Sequence, residues 1–310
     1  MSFDPDNIIH REYHDCFEDI YATISNYYSS NFSLMYLRAW DFIYNTNNNS
    51  VGKNLIAGEE YHVEDLYLYH GIKIQEQKLH QGDNITHQIR KAVHENGFIA
   101  VLVKADICNW VPVSLLRKSY HPIIIKQTDI VNHIIIDPYY LNNQVIQLPH
   151  STVEKGICSY YRSEKGNPHY KSASDILYQF EQHVYRLLEK YSEYELFLND
   201  FKSINQIQSE FTSVNGYVIS DLYDQLIYLA RRRKQTQMLL QALPLAQRLL
   251  QLNSEILRIS QNWRKLAANI LSAYYRCNWP EQYDEAIKMA EILIHDEKDI
   301  LQKLMDIIRR

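Results

Sequence analysis

Two isoleucine-rich stretches, YHPIIIK at residues 120–126 and HIIIDP at residues 133–138, decide the fold of the first half of the chain. Short apolar runs rich in β-branched residues are typical of buried strands. The polar segment at residues 127–132 is short enough to connect them as a turn. The two runs therefore predict an antiparallel hairpin with its turn centred near residues 129 and 130.

This hairpin brings two polar side chains together at its open end. In the expected register, His121 lies opposite residue 137 or 138, and directly opposed residues share a face with Cβ atoms about 5 Å apart. We therefore expect His121 beside Asp137. A carboxylate beside an imidazole fixes its tautomer and stabilises its charged form, which is what a general base needs.

A cysteine near the start of the chain supplies a nucleophile for this pair. Cys16 follows Asp15, a good N-cap residue, and begins a helical pattern that includes Ile20 and Ile24. The positive end of a helix dipole lowers the pKa of a thiol, and first-turn N–H groups can hold an oxyanion. The sequence thus predicts a catalytic triad of Cys16, His121 and Asp137, the order of parts found in papain-like enzymes.

Each member of the triad also has a simpler interpretation. A single cysteine on an amphipathic helix is usually a small buried hydrophobic residue. His133 is a rival base, because it shares a strand face with Asp137, although it should lie at the turn end of the hairpin. Cys108 and Cys158 have no comparable partners in the sequence.

His10 and His14 have the spacing of two metal ligands on one helix face. No third ligand is evident, and no H-E-x-x-H motif is present. We therefore interpret the two histidines as surface or site-lining residues, and we expect neither a metal nor another cofactor.

Glycine is scarce, with 8 in 310 residues, and this excludes several function classes. There is no G-x-G-x-x-G and no G-x-x-x-x-G-K-[ST], the loops that bind dinucleotides and nucleotide phosphates. The G-x-S-x-G turn of many serine hydrolases is also absent. The net charge of −5 argues against a nucleic-acid partner. We interpret the 25 tyrosines as packing residues.

Turn-forming residues indicate two domains. All the glycines lie at or before Gly216, and residues 174–310 read as consecutive amphipathic helices. We expect an α+β domain with an antiparallel sheet at residues 1–160, a linker at about 161–171 and an all-helical domain at 172–310.

Cysteine spacing and hydropathy indicate a cytoplasmic protein. The four cysteines are far apart and form no C-x-x-C, so neither a disulfide framework nor a zinc ribbon is predicted. Residues 1–6 lack the apolar core of a signal peptide, and no apolar run is long enough to span a membrane. We therefore expect no membrane partner.

The strongest basic run is Arg231, Arg232, Arg233 and Lys234. Such runs are commonly solvated helix faces or C-terminal helical turns. The alternative is a docking patch for an acidic partner.

The pattern resembles a known family. Asp15-Cys16 at a helix start, His121-x-I-I-I and I-I-I-Asp137-Pro138 resemble the bacteriocin-leader-processing cysteine peptidases, and the overall layout is similar to the butirosin biosynthesis protein H-type acyltransferase group. VLVKAD at residues 101–106, followed by Trp110 and Pro112, resembles the segment before the histidine in that group. The resemblance covers roughly residues 10–155.

The resemblance implies a papain-like acyltransferase in antibiotic and other natural-product biosynthesis. Cys16 would take an acyl, aminoacyl or peptidyl group from the thioester of an acyl or peptidyl carrier protein and pass it to a small-molecule amine or alcohol. His121 would be the base and Asp137 would orient it. The acidic carrier protein could dock at residues 231–234.

The chain departs from the peptidases at two positions. They have glycine directly after the cysteine and glutamine six residues before it, where this chain has Phe17 and His10. These departures argue against proteolysis and leave the second oxyanion donor unidentified. Two alternatives stay open, a thioesterase or amide hydrolase with the same triad, and a non-catalytic peptidase-like scaffold that binds a carrier protein or peptide.

Overall fold

The computed structural model describes residues 3–4, 7–57, 61–79, 84–111, 120–141, 144–214 and 216–310. The α-helices among them are α1 (Cys16–Tyr27), α2 (Val51–Asn54), α3 (His62–His70), α4 (Ile85–Asn96), α5 (His150–Gly156), α6 (Ala173–Glu189), α7 (Ser192–Lys202), α8 (Asp221–Ala242), α9 (Ala246–Leu249), α10 (Asn253–Arg276) and α11 (Trp279–Arg309). The strands are β1 (Ile43–Tyr44), β2 (Leu55–Ile56), β3 (Ile72–Lys78), β4 (Ile99–Lys104), β5 (Tyr120–Thr128), β6 (Asn132–Ile136), β7 (Val145–Pro149), β8 (Ile157–Lys165), β9 (Thr212–Val214) and β10 (Tyr217–Ile219). Short 3₁₀ helices cover Phe32–Tyr36, Ala105–Ile107, Ile207–Glu210 and Leu250–Leu252.

The chain divides into two compact units. The first unit comprises Met1–Met35 and His62–Tyr170, and the second comprises Tyr36–Tyr61 and Lys171–Arg310. The predicted boundaries differ from this division in two ways. Residues 36–61 belong to the second unit, and residues 161–165, expected in the linker, form the end of β8.

The first unit is built on a six-stranded sheet in the order β3-β8-β4-β5-β6-β7, in which every neighbouring pair is antiparallel. One face forms a hydrophobic core in which Val101, Ile123 and Ile135 pack with Ile89 of α4 and Val153 of α5. Burial of this apolar surface, worth about 25 cal/mol per Å², is the main force that holds the helices on the sheet. The sequence patterns did not predict strands β3 and β8.

The predicted isoleucine hairpin is present as β5 and β6, but its register differs from the prediction. Ile124 pairs with Ile136. Continued to the open end of the hairpin, this register places position 121 opposite position 139, whereas the prediction was 137 or 138. The turn spans residues 129–131, and the Asp129 carboxylate accepts hydrogen bonds from the N–H groups of Val131 and Asn132. A bulge between Ile125 and Gln127 adds a further residue to β5.

The first helix begins as its sequence predicts. The Asp15 carboxylate accepts a hydrogen bond from the Glu18 N–H at 2.9 Å, and the Glu18 carboxylate accepts one from the Asp15 N–H at 2.8 Å. This reciprocal capping box fixes the first turn of α1 and the position of Cys16, its first residue. Apolar residues of α1, including Ile20 and Ile24, are buried, and the helix packs against β5.

The second unit is mainly helical. Its core contains a buried ion pair, in which the Nε atom of Arg233 donates to the two oxygens of Glu297 at 2.7 and 3.0 Å. Trp263 and Tyr194 also donate to the Glu297 carboxylate. The expectation of helices alone after residue 174 is wrong, because β9 and β10 form a small hairpin.

The chain is therefore α+β, with an antiparallel sheet in the first unit and a helical C-terminal region. Across the described residues, none of the helices combines the length and apolar character needed to cross a bilayer.

Candidate functional site

His121 and Asp137 are in direct contact at the open end of the hairpin. The Nε2 atom of His121 lies 2.7 Å from Oδ2 of Asp137, and both residues are buried. Asp137 directly follows the last residue of β6, and in the observed register it lies diagonally across the hairpin from His121. Diagonal neighbours share a face and are within reach of long side chains. The predicted contact is present although the predicted register was wrong.

Asp137 makes hydrogen bonds through both of its carboxylate oxygens. Its Oδ2 also accepts a hydrogen bond from the Trp110 indole N–H at 2.7 Å, and its Oδ1 accepts from the N–H groups of Tyr139 and Tyr140 at 3.0 and 3.2 Å. A buried carboxylate with such donors is fixed in position. Because Asp137 binds Nε2 of His121, the nitrogen that remains for a substrate or a thiol is Nδ1.

Cys16 lies at the first position of α1, which packs against the strand that carries His121. The charge of Asp137 raises the pKa of the Cys16 thiol, and the charge of Cys16 in turn raises the pKa of Tyr140. The Tyr140 ring lies 5.2 Å from the His121 ring, centroid to centroid. His121 and Asp137 thus meet directly, and the Cys16 thiol lies within electrostatic range of Asp137.

The expected activation of the thiol by the helix dipole is not what the structure gives. Burial raises the pKa of Cys16 to about 12, with smaller contributions from the charges of Asp15 and Asp137. The N–H groups of Cys16 and Phe17 act in the opposite direction and lower the pKa, but they do not outweigh burial. At neutral pH the resting side chain is thus a thiol and not a thiolate.

These two N–H groups remain important for the geometry of the site. The capping box uses the N–H groups of Asp15 and Glu18, whereas those of Cys16 and Phe17 are directed toward the sulfur. Donors at this position can stabilise negative charge that develops next to the thiol.

The rival residues are placed elsewhere. The Nδ1 atom of His133 lies 3.1 Å from the Thr128 hydroxyl, and its ring packs on His150 with centroids 4.3 Å apart, at the turn end of the hairpin. Burial and the charge of His150 lower the pKa of His133 to about 4. Cys108 is influenced by the charge of Asp137, but it is fully buried in the hydrophobic core.

His10 and His14 share a partner that the sequence analysis did not identify. Both donate toward the buried carboxylate of Asp19, His10 Nδ1 to Oδ2 at 2.6 Å and His14 Nδ1 to Oδ1 at 2.7 Å. Among the residues that the structure describes, no group of three or more His, Cys, Asp or Glu side chains could hold a metal ion. The spacing of His10 and His14 therefore serves a hydrogen-bonded cluster around Asp19.

The basic run at residues 231–234 is not a continuous surface patch. Arg232 and Arg233 are 2% and 0% exposed, and Arg233 belongs to the ion pair with Glu297. Arg231 and Lys234 are half-buried. A docking patch made of all four residues is thus wrong, because α8 turns two of them into the interior of the second unit.

A scan of protein-family models finds no match to this chain, and no curated protein shows significant similarity to it.

Some features of the site had a signal in the sequence that could have been used. An aspartate commonly accepts hydrogen bonds from N–H groups two or three residues later, so D-P-Y-Y at residues 137–140 predicts the contacts of Asp137 with Tyr139 and Tyr140. Asp19 lies three residues after Cys16 and so on the same helix face. No local sequence pattern predicts the hydrogen bond between Trp110 and Asp137. Pro112 lies outside the described residues.

Proposed function

We propose that this chain is a papain-like acyltransferase in which Cys16 carries the acyl group, His121 is the base and Asp137 orients His121. The observation that carries the proposal is the fixed His121–Asp137 pair, together with a helix-terminal cysteine whose thiol lies within electrostatic range of Asp137. This arrangement supports nucleophilic catalysis, because the base, its orienting carboxylate and the nucleophile occur together.

The first half-reaction begins from the protonated thiol. His121 Nδ1 takes the Cys16 proton as the sulfur attacks the carbonyl carbon of a thioester, and the N–H groups of Cys16 and Phe17 stabilise the oxyanion. The carbonyl carbon then loses the donor thiolate, which receives the proton from His121. The raised pKa of Cys16 is consistent with this route, since a base must act at the moment of attack.

The second half-reaction releases the acyl group. An amine or alcohol attacks the acyl-Cys16 carbonyl, the bond from carbon to Cys16 sulfur breaks, and His121 carries the proton of the acceptor to the sulfur. Exchange of one thioester for another has little thermodynamic cost, so a thioester donor suits a cysteine enzyme. With water as acceptor, the same residues would give a thioesterase or an amide hydrolase.

The donor we propose is the thioester of an acyl or peptidyl carrier protein in natural-product biosynthesis. Carrier proteins are generally acidic, and the residues of the basic run that are not fully buried are Arg231 and Lys234. Reversal of both charges should raise the apparent KM for the carrier protein and leave the KM for a small thioester unchanged. An unchanged KM for the carrier would remove this surface from the proposal.

The proposed function is tested by amide formation. Purified protein is incubated with an acetylated acyl carrier protein and a panel of primary amines, and amide products are measured by mass spectrometry. We expect product with the wild type and with Cys158→Ala, a matched cysteine variant on β8, and loss of product with Cys16→Ala. Equal product formation by Cys16→Ala would show that Cys16 is not the nucleophile.

A further inference from the structure

The structure contains a second imidazole–carboxylate pair, and its carboxylate, Asp19, lies on the same face of α1 as Cys16. Asp19 follows Cys16 by three residues in α1, and positions three apart are neighbours on a helix surface. The Asp19 side chain is fully buried, and His10 Nδ1 lies 2.6 Å from its Oδ2 atom. Asp19 Oδ1 also accepts from the Arg11 N–H at 3.3 Å.

The two histidines on Asp19 differ in exposure, and this difference separates their roles. The His14 side chain is 0% exposed, and burial lowers its pKa. His14 is therefore a neutral donor that holds Asp19 in place. The His10 side chain is 35% exposed. With Nδ1 of His10 bound to Asp19, its Nε2 atom is the nitrogen that remains to receive a proton.

His10 is also connected to the His121–Asp137 pair. Its ring packs edge to face on Tyr139, with centroids 5.7 Å apart. The backbone N–H of Tyr139 donates to Asp137, and its ring packs on Tyr140, which contacts His121.

We propose that the His10–Asp19 pair removes the proton from an amine acceptor that arrives as an ammonium ion. This inference rests on the proposed function. The first imidazole, His121, serves the thiol, and the second serves the acceptor.

The protons balance over the second half-reaction. The ammonium group of the acceptor gives one proton to Nε2 of His10, which becomes an imidazolium hydrogen-bonded to the Asp19 carboxylate. The neutral amine attacks acyl-Cys16, the carbon–nitrogen bond forms and the carbon–sulfur bond breaks. The second amine proton passes through His121 to the Cys16 sulfur, and His10 releases its proton to solvent.

The test separates acylation from aminolysis. Acyl-enzyme is formed from the acetyl thioester of N-acetylcysteamine and followed by intact mass, first alone and then after addition of an amine. Two amines are compared at pH 7, ethanolamine, which is an ammonium ion at this pH, and methoxyamine, which is neutral. The variants are His10→Gln and His10→Asn, with His87→Gln, an exposed histidine of α4, as the matched control.

For both His10 variants we expect acylation within about twofold of the wild type, aminolysis by ethanolamine about 10²-fold slower, and aminolysis by methoxyamine nearly unchanged. The defect with ethanolamine should shrink as pH rises and the amine loses its proton. His87→Gln should match the wild type throughout.

Three results would overturn the inference while acyl-enzyme formation still supports the proposed function. These are equal slowing with both amines, no slowing with either, and wild-type aminolysis by ethanolamine no faster than that of the free thioester. If the wild type forms no acyl-enzyme, the proposed function fails and the inference fails with it. Circular dichroism of each variant distinguishes a chemical defect from unfolding.

Discussion

Oδ2 of Asp137 lies 2.7 Å from Nε2 of His121 and 2.7 Å from Nε1 of Trp110, so one carboxylate oxygen joins the imidazole to the indole. The other oxygen is held by two backbone N–H groups. The orientation of His121 is therefore determined by β5, by the segment after β6 and by Trp110 together.

Asp137→Asn removes the negative charge and retains the shape of the side chain. The amide has one accepting oxygen, so it cannot accept from His121 and Trp110 and also from the backbone N–H groups after it. An amide also stabilises the imidazolium form of His121 less well. We expect acylation of Cys16 to slow by about 10²- to 10⁴-fold, as measured by quenching the reaction at intervals and determining the acylated fraction by mass. Acylation at the wild-type rate in a folded variant would contradict the role of Asp137.

Trp110→Phe removes one hydrogen bond to Asp137 and keeps an aromatic ring. A hydrogen bond to a charged group contributes about 1.5–3 kcal/mol, and we expect part of this to appear as a five- to fiftyfold slower acylation. The pH profile of acylation should shift as well, because Asp137 would be less firmly fixed. A stability change with no effect on rate or profile would mean that Trp110 only packs.

The pH dependence of alkylation tests the state of the resting thiol. Because the pKa of Cys16 is raised to about 12, the thiol is protonated at pH 7, and the thiolate fraction increases with pH up to that value. Alkylation of Cys16 by iodoacetamide, followed by peptide mapping, should be slow at pH 7 and still rising at pH 10. A plateau below pH 8 would indicate a preformed thiolate and contradict this account of activation.

Arg233→Ala tests the buried ion pair of the second unit. Loss of Arg233 leaves the buried Glu297 carboxylate without its cationic partner, and breaking such a pair typically costs 3–5 kcal/mol. We expect a loss of about that size in the free energy of unfolding, measured by urea denaturation. Arg231→Ala, a half-buried neighbour on the same helix, should cost less than about 1 kcal/mol. Equal effects would contradict the different placement of the two arginines.

Much of the first unit was predictable from local patterns. The cap at Asp15, the helix that ends before Gly97 and the isoleucine strands all follow from residue types that act on their own neighbours. The contact between His121 and Asp137 was predictable for the same reason, since a short hairpin limits which residues can meet.

The remaining features depend on long-range packing. The bulge after Ile125 is decided by how β5 fits between β4 and β6, and the placement of residues 36–61 with the C-terminal helices has no local signal. The pKa of Cys16 was mispredicted because the helix dipole is a local effect, whereas burial and the approach of Asp137 are produced by the folded chain.

The central claim is that Cys16 becomes acylated. The most direct measurement is the intact mass of the protein after incubation with acetylated acyl carrier protein, followed by peptide mapping of the modified residue. The account predicts one acetyl adduct, located on Cys16, that forms in Cys158→Ala and is absent in Cys16→Ala and strongly slowed in His121→Ala. An unmodified wild-type protein, or an adduct that persists in Cys16→Ala, would contradict it.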